Sequence, residues 1–245
     1  MSTRKWLLIT VLLLFLATVS CYLIPTLRFD MEQMFFRITT NDQPVTTEED
    51  IDQILSKFAV IDQADLPTDF LLRTQIDAPE FRQLSPRKFF VIRKKDLYRK
   101  VVGHLRIHQL FAVGAPERNG FYLSGDPLYW GVDPDILHKL LELRLLLESE
   151  GFDGAAFHCN YGYRHPTLNA TVGGASRSRH IAGDAVDLVI EDINQDGQAN
   201  TADKAIVLDL CERQLIGNLG GIGRYPGTQV VHIDLRGTRA RWDSY

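Results

Sequence analysis

Positive charge is in short supply in this chain. Its 245 residues carry 27 Lys and Arg against 31 Asp and Glu, a formal net charge of -4, with no long basic run. Nucleic acid is therefore excluded as the expected partner, because binding it needs a basic patch or stripe. Cysteine is scarce as well, at three. Cys21 sits in an N-terminal apolar stretch, which leaves Cys159 and Cys211 as a single candidate pair: a disulfide in an oxidising compartment, or two buried thiols. There is no internal repeat and no low-complexity tract, so a repeat array is excluded. What remains is a chain that is 45% hydrophobic, enough to bury the core of one full domain plus a smaller one.

The first feature present is the N-terminus. Arg4 and Lys5 precede an apolar run from Trp6 to Leu27, interrupted mainly by Thr and Ser and with Pro25 near its end. The run reaches the ~20 residues that a spanning helix needs. Its positive flank places the N-terminus in the cytoplasm and the rest of the chain outside. An uncleaved signal-anchor over residues 1–27 is the expectation, giving a single-pass membrane protein with its main domain periplasmic or extracellular. A cleaved signal, or a lipoprotein modified at Cys21 after Ala17-Thr18-Val19-Ser20, are the alternatives, and both also place the chain outside the cytoplasm.

Residues 28–123 form a small mixed region without a legible chemical signature. Thr46-Thr47-Glu48-Glu49 resembles a capping box, with Thr46 as cap, and Ile51, Ile54, Leu55 and Phe58 follow at helical spacing. Lys88 to Arg93 reads as a strand, and Leu97 to Val113 is ambiguous between strand and helix. His104 and His108, four apart, have no acidic companion in a known pattern and read as packing or surface residues. A second region, residues 124–245, follows. Asp133 is a good helix cap with Pro134 in the first turn, an apolar face runs from Ile136 to Leu147, and Gly151 is a plausible stop. Ala185 to Glu191 and Gln229 to Leu235 alternate with period two, as strands do, and a helix is expected near Ala202 to Leu215. Helices and strands in this order make an α+β domain.

The sharpest pattern is Ser178-Arg179-His180-Ile181-Ala182-Gly183-Asp184-Ala185-Val186-Asp187, or S-x-H-x-x-G-x-A-x-D, joined by Val231-His232-Ile233-Asp234 near the C-terminus. Two imidazoles and a carboxylate with one coordination position left open are what a catalytic zinc needs. Alternation places Val186, Leu188 and Ile190 on one side of the first strand and Asp187 on the other. In the last strand, His232 and Asp234 share a side, about 7 Å apart at ~3.3 Å per residue. If the two strands are neighbours, Asp187 and His232 converge on one ion, and Gly183 and Ala185 keep bulk away from it.

These motifs resemble the D-alanyl-D-alanine metallopeptidase family, whose fold is shared with hedgehog signalling domains. The likeness runs from about Asp133 to Trp242 and includes Tyr161-Gly162-Tyr163-Arg164, Leu168-Asn169 and Gly173-Gly174-Ala175-Ser176. The ending Gly220-Gly221-Ile222-Gly223-Arg224-Tyr225-Pro226 looks most like the murein endopeptidase-like branch. The resemblance implies a hedgehog/D-Ala-D-Ala peptidase-like antiparallel sheet with helices. It also implies zinc on His180, Asp187 and His232, Arg164 on the substrate carbonyl or carboxylate, and Ser178 holding the peptide terminus. The implied reaction is hydrolysis of peptide bonds in peptidoglycan stem peptides or cross-links. Many members carry, as general base, an acidic residue three positions before the last ligand or a histidine two before it. Here those positions are Gln229 and Val230, neither of which takes a proton near neutral pH. Asp234 is the substitute by strand geometry, as base or as an orienting partner of His232. A non-hydrolytic, zinc-stabilised envelope-binding module, acting by binding as hedgehog domains do, is the alternative function.

One further pattern lies inside the domain. From Asp192 to Asp203, oxygen-bearing side chains fall at Asp192, Asn194, Asp196, Asn200 and Asp203, Gly197 is sixth, and Gln198 offers its carbonyl. This is the spacing of a calcium loop. It resembles the dockerin version, but a single copy makes cohesin docking improbable, and a structural calcium is the expectation. An ordinary Asn/Asp-rich turn capping the next helix is the alternative.

Overall fold

The protein is described by a computed structural model, which covers residues 31, 34, 35, 43–111 and 127–243. The Trp6–Leu27 run, Cys21 and the expected boundary near residue 123 lie outside the described residues. Among the described residues, no helix is long and apolar enough to cross a membrane.

The first helix, α1 (Glu48–Leu55), is capped by Thr47 rather than Thr46. The Thr47 side chain accepts the Asp50 amide and donates its hydroxyl proton to the Asp50 carboxylate, so the cap lies one residue later than expected and its partner is Asp50. Glu48, Glu49 and Asp50 fill the first turn, where the exposed amides favour negative charge. Strand β1 (Ala59–Asp62) and helix α2 (Thr68–Thr74) follow, then β2 (Lys88–Ile92) where a strand was read. The ambiguous stretch from Leu97 is neither one helix nor one strand: it divides into β3 (Lys100–Val102), β4 (Leu105–Arg106) and a single turn, α3 (Ile107–Leu110). His104 packs edge-on against Phe157 and His108 is buried, so both are packing residues.

Strand β5 (Leu128–Trp130) belongs by sequence to the second region, yet it completes a three-stranded antiparallel sheet, β1-β2-β5, with the first. The two regions also share one hydrophobic core, which runs from Ile51 and Leu55 through Leu137 and Leu140 to Val231 and Ile233. Helix α4 (Pro134–Ser149) lies across it, started by the Asp133 side chain on the Asp135 amide and followed by left-handed Gly151.

The remaining elements build the sheet that matters for function. They are β6 (Phe157–Tyr161), α5 (Pro166–Thr171), α6 (Arg179–Ala182), β7 (Ala185–Ile190), α7 (Thr201–Leu210), β8 (Gly221–Gly223), β9 (Val230–Asp234) and β10 (Ala240–Trp242), with a π turn at Cys211–Leu215 extending α7. The order is β10-β8-β9-β7-β6. All pairs are antiparallel except β10 with β8, because the chain reverses after β9 and so returns in the direction of β8. Val186, Leu188 and Ile190 of β7 enter the core, as alternation requires. Cys159 and Cys211 are free, and burial pushes both thiols up, Cys211 to about 12. They are two buried thiols and not a disulfide.

His165 caps α5 by accepting the Leu168 amide on Nδ1 at 3.1 Å, and it is 1% exposed. Burial first, and the Arg73 charge second, hold its pKa down at about 3 against an ordinary 6.5. A group neutral in the fold but protonated in the unfolded chain contributes stability that is complete above pH 6.5 and is lost as pH falls toward 3. The expected slope from this residue is about 1.4 kcal/mol per pH unit. Denaturant unfolding between pH 6.5 and 4 should show a shallower loss for His165→Asn, which keeps a capping oxygen without the titration. Equal slopes for variant and wild type contradict this.

Candidate metal centre

The site is built on one transverse row of the five-stranded sheet. Tyr161 pairs with Asp187, Asp187 with His232, His232 with Gly223, and Gly223 with Trp242. Residues opposite one another in register project to the same face, so a single line across the sheet carries aromatic, carboxylate, imidazole, gap and indole. A bulge at Asn160 shifts the register of β6 after Cys159, which faces the core, and so brings Tyr161 into the row. Gly223 is the gap because a Cβ there would lie 2.8–2.9 Å from Trp242 ring atoms. The indole uses that space and sits 5.1 Å from the His232 ring.

His180 arrives from outside the sheet, on the one-turn helix α6. Gly183 ends this turn at φ 84, and a Cβ there would lie 1.8 Å from the Gly131 carbonyl oxygen. The glycine is thus required by backbone packing against Gly131, a reason different from the metal clearance expected of it. The main chain of Arg164 donates to the His180 carbonyl at 2.9 Å and fixes the height of the turn.

The three side chains then meet. His180 Nε2 lies 3.2 Å from Asp187 Oδ2 and 3.2 Å from His232 Nδ1, and His232 Nδ1 lies 2.8 Å from Asp187 Oδ1. One ligand atom from each falls within 4.8 Å of the others, and all three residues are buried. Ring partners decide which nitrogens face inward. His180 Nδ1 is 2.7 Å from the Gly162 carbonyl, which only accepts, so Nδ1 carries the hydrogen and Nε2 presents a lone pair. His232 Nε2 is 3.1 Å from Asp234, also an acceptor, which leaves Nδ1 to hold a cation. Two imidazole nitrogens and a carboxylate, oriented from behind by a carbonyl and a second carboxylate, fit a zinc ion. Cysteine is absent from the set.

Electrostatics agree with that use. Burial drives the His180 pKa down, assisted by the Arg164 guanidinium and opposed by Asp187. Burial also works against charge on His232, but hydrogen bonds and charges from Asp187 and Asp234 overcome it and raise its pKa. Asp187 is held well below the usual carboxylate range by His180 and His232, despite its burial. The centre is therefore an anionic carboxylate between two imidazoles, one kept neutral and one ready to take a cation.

The residues around the centre divide by reach. Arg164 is buried, pairs through Nη2 with Asp187, comes 3.3 Å from His180 Nε2 and stacks 4.2 Å over the Tyr161 ring. Asp234 is fully buried. It accepts the amides of Gly221 and Arg236 at 3.1 and 3.2 Å and the Arg236 guanidinium at 2.7 and 2.5 Å, and the hydrogen bonds and charges of His232 and Arg236 hold its pKa low against the effect of burial. Ser178 stands at the N-terminus of α6 with no capping bond from its side chain. A cavity of about 650 Å³ opens over the centre, lined by Arg164, Arg177, Ser178, Tyr225, Arg236 and Trp242 among others, with Asp187 the one carboxylate among the described residues that line it. Arg177, Tyr225 and Trp242 were assigned no role from sequence, where an aromatic after a glycine-rich stretch has the look of a turn residue. Gln229 turns away, donating to the Asn200 carbonyl at 2.8 Å. None of residues 192–203 lines the cavity.

An α+β fold with a buried His–Asp–His centre at the floor of an open cavity is the architecture of a metal-dependent hydrolase site. Residues 118–234 match the family model of Peptidase M15, the D-alanyl-D-alanine zinc peptidase family. No curated protein and no solved structure matches the chain.

The donor set generates a direct expectation. Metal analysis of the purified protein should find about one zinc per chain, and none after His180→Ala. Asp234→Asn should keep the stoichiometry at saturating zinc but weaken affinity about 10–100-fold. Zinc retained in full by His180→Ala contradicts the assignment.

Proposed function

We propose that this protein is a zinc peptidase that hydrolyses peptide bonds in peptidoglycan stem peptides or cross-links, as a D,D-carboxypeptidase or an endopeptidase of the murein endopeptidase-like type. The observation that carries the reading is the convergence of His180 Nε2, Asp187 and His232 Nδ1 beneath an open cavity, within the segment that matches Peptidase M15. Zinc held by these three residues supplies a Lewis acid for the scissile carbonyl and acidifies water.

The chain's own groups do the rest. Arg164 offers the substrate carbonyl or carboxylate a planar fork of donors, and its Nε hydrogen is buried with no acceptor among the described residues. Ser178 has its hydroxyl free of capping duty and at the cavity wall, placed for the peptide terminus. Asp234, saturated by two amides, Arg236 and His232, acts as a positioning residue for His232 rather than as the base. The bulk of the domain works outside the cytoplasm, tethered through residues 1–27.

Among the described residues Asp187 is the one carboxylate that lines the cavity, which favours one second reading, a zinc-stabilised module that binds envelope peptides without cutting them. Incubation of zinc-loaded protein with purified muropeptides, followed by mass spectrometry, separates the two. The peptidase reading expects product release that disappears in His180→Ala. Tight binding without cleavage at saturating zinc supports the module instead.

Calcium in the 192–203 loop is part of the same proposal. The Asp192 carboxylate gathers the amides of Asp196 and Gly197, and Gly197 turns at φ 89, as a tight oxygen-lined loop requires. In the described structure Asp203 accepts the amides of Asn194 and Asn200 and completes a capping box for α7, the role of the simpler turn. Chelation of calcium at saturating zinc should lower the melting temperature by several degrees. Equal melting temperatures contradict a calcium site.

A further inference from the structure

We propose that Tyr225 is a catalytic residue of this site, its phenol donating a hydrogen bond to the substrate carbonyl oxygen as that oxygen becomes an oxyanion, and that Trp242 is the residue that positions it. The inference rests on the peptidase reading given above.

Tyr225 occupies the connection between β8 and β9, at φ 33, a left-handed conformation uncommon for a residue with a side chain. Such a conformation persists where its surroundings over-determine it, and here they do. The Tyr225 carbonyl accepts from the buried Lys204 ammonium at 2.9 Å, from the Thr228 amide at 3.2 Å and from the Thr228 hydroxyl at 2.9 Å. Lys204 also donates to the Thr228 carbonyl at 2.7 Å, so helix α7 clamps both ends of the turn. The outcome is a half-buried tyrosine that lines the same cavity as Arg164, His180, Asp187 and His232.

The direction of its proton follows from its neighbour. The Trp242 indole lies near the hydroxyl and is the least of the influences on its pKa. An indole N–H only donates, so this neighbour can meet only an oxygen lone pair and does not take up the phenol's own hydrogen. Burial, and then the charge of Asp187, raise the phenol pKa, so the group stays protonated across the neutral range. The indole itself is seated by Gly223, where any Cβ would strike it. The phenol therefore lines the reaction space with its hydrogen available to donate, on a wall that among the described residues holds no carboxylate beyond Asp187. It keeps its proton throughout. Its contribution is electrostatic, of the kind supplied by a donor aimed at developing charge.

The test uses the zinc-loaded full chain with purified muropeptides, and a phosphinate analogue of a D-alanyl-D-alanine peptide as the tetrahedral mimic. Tyr225→Phe should lower kcat about 10²-fold with little change in KM. Its zinc stoichiometry should be unchanged, and phosphinate affinity measured by calorimetry should fall in the same proportion as kcat. Trp242→Phe should lose less, and should lose nothing further in the Tyr225→Phe background. An unchanged kcat in Tyr225→Phe, or a rise confined to KM, overturns the inference while the peptidase reading stands. A wild type that binds zinc and cleaves no muropeptide overturns both.

Discussion

The pairing of Asp187 with His232 across β7 and β9 is the constraint on which the rest depends. In a sheet, a slip of one residue turns every side chain to the other face. A slip here would drive the carboxylate into the apolar core beneath Leu188 and Ile233, or turn the imidazole away from it. The register is held because β7 is a central strand whose alternate residues, Val186, Leu188 and Ile190, have no stable place except that core. The hydrophobic side of the sheet thus sets the geometry of the polar side.

From that pair the site extends in both directions along one row. Toward β6, the Asn160 bulge supplies Tyr161, and the ring supports the Arg164 guanidinium. Toward β10, the missing side chain of Gly223 lets Trp242 reach His232, and Tyr225 lines the same cavity beside it. Only His180 enters from a different element, and its ring is fixed by the Gly162 carbonyl. Buried polar groups need partners, and each of the three central residues has its second polar atom or ring nitrogen engaged. The inward-facing atoms are therefore left with few alternatives to a cation. Arg164 places one positive group beside Asp187, and the donor set suits a metal ion.

Much of this was legible in residues. Alternation in Ala185–Ile190 and Val230–Asp234 gave both strands and the faces of Asp187 and His232, because a strand buried on one side must alternate. Asp133 with Pro134 marked the start of α4, because capping chemistry is local. What was not legible depends on contacts far apart in sequence. The seat of Asp234 in the grip of Arg236 and two amides, the reason for Gly183, and the union of β5 with the first sheet all require knowing which backbone lies next to which. Tyr225 and Trp242 were hidden for the same cause: 17 positions apart in the chain, they meet only because β10 returns alongside β8.

X-ray absorption at the zinc edge of the loaded protein tests the central claim most directly. The account predicts a sulfur-free first shell of nitrogen and oxygen at about 2.0–2.1 Å, with the outer-shell scattering of two imidazole rings. A shell with one imidazole or none, or with sulfur at about 2.3 Å, would contradict it.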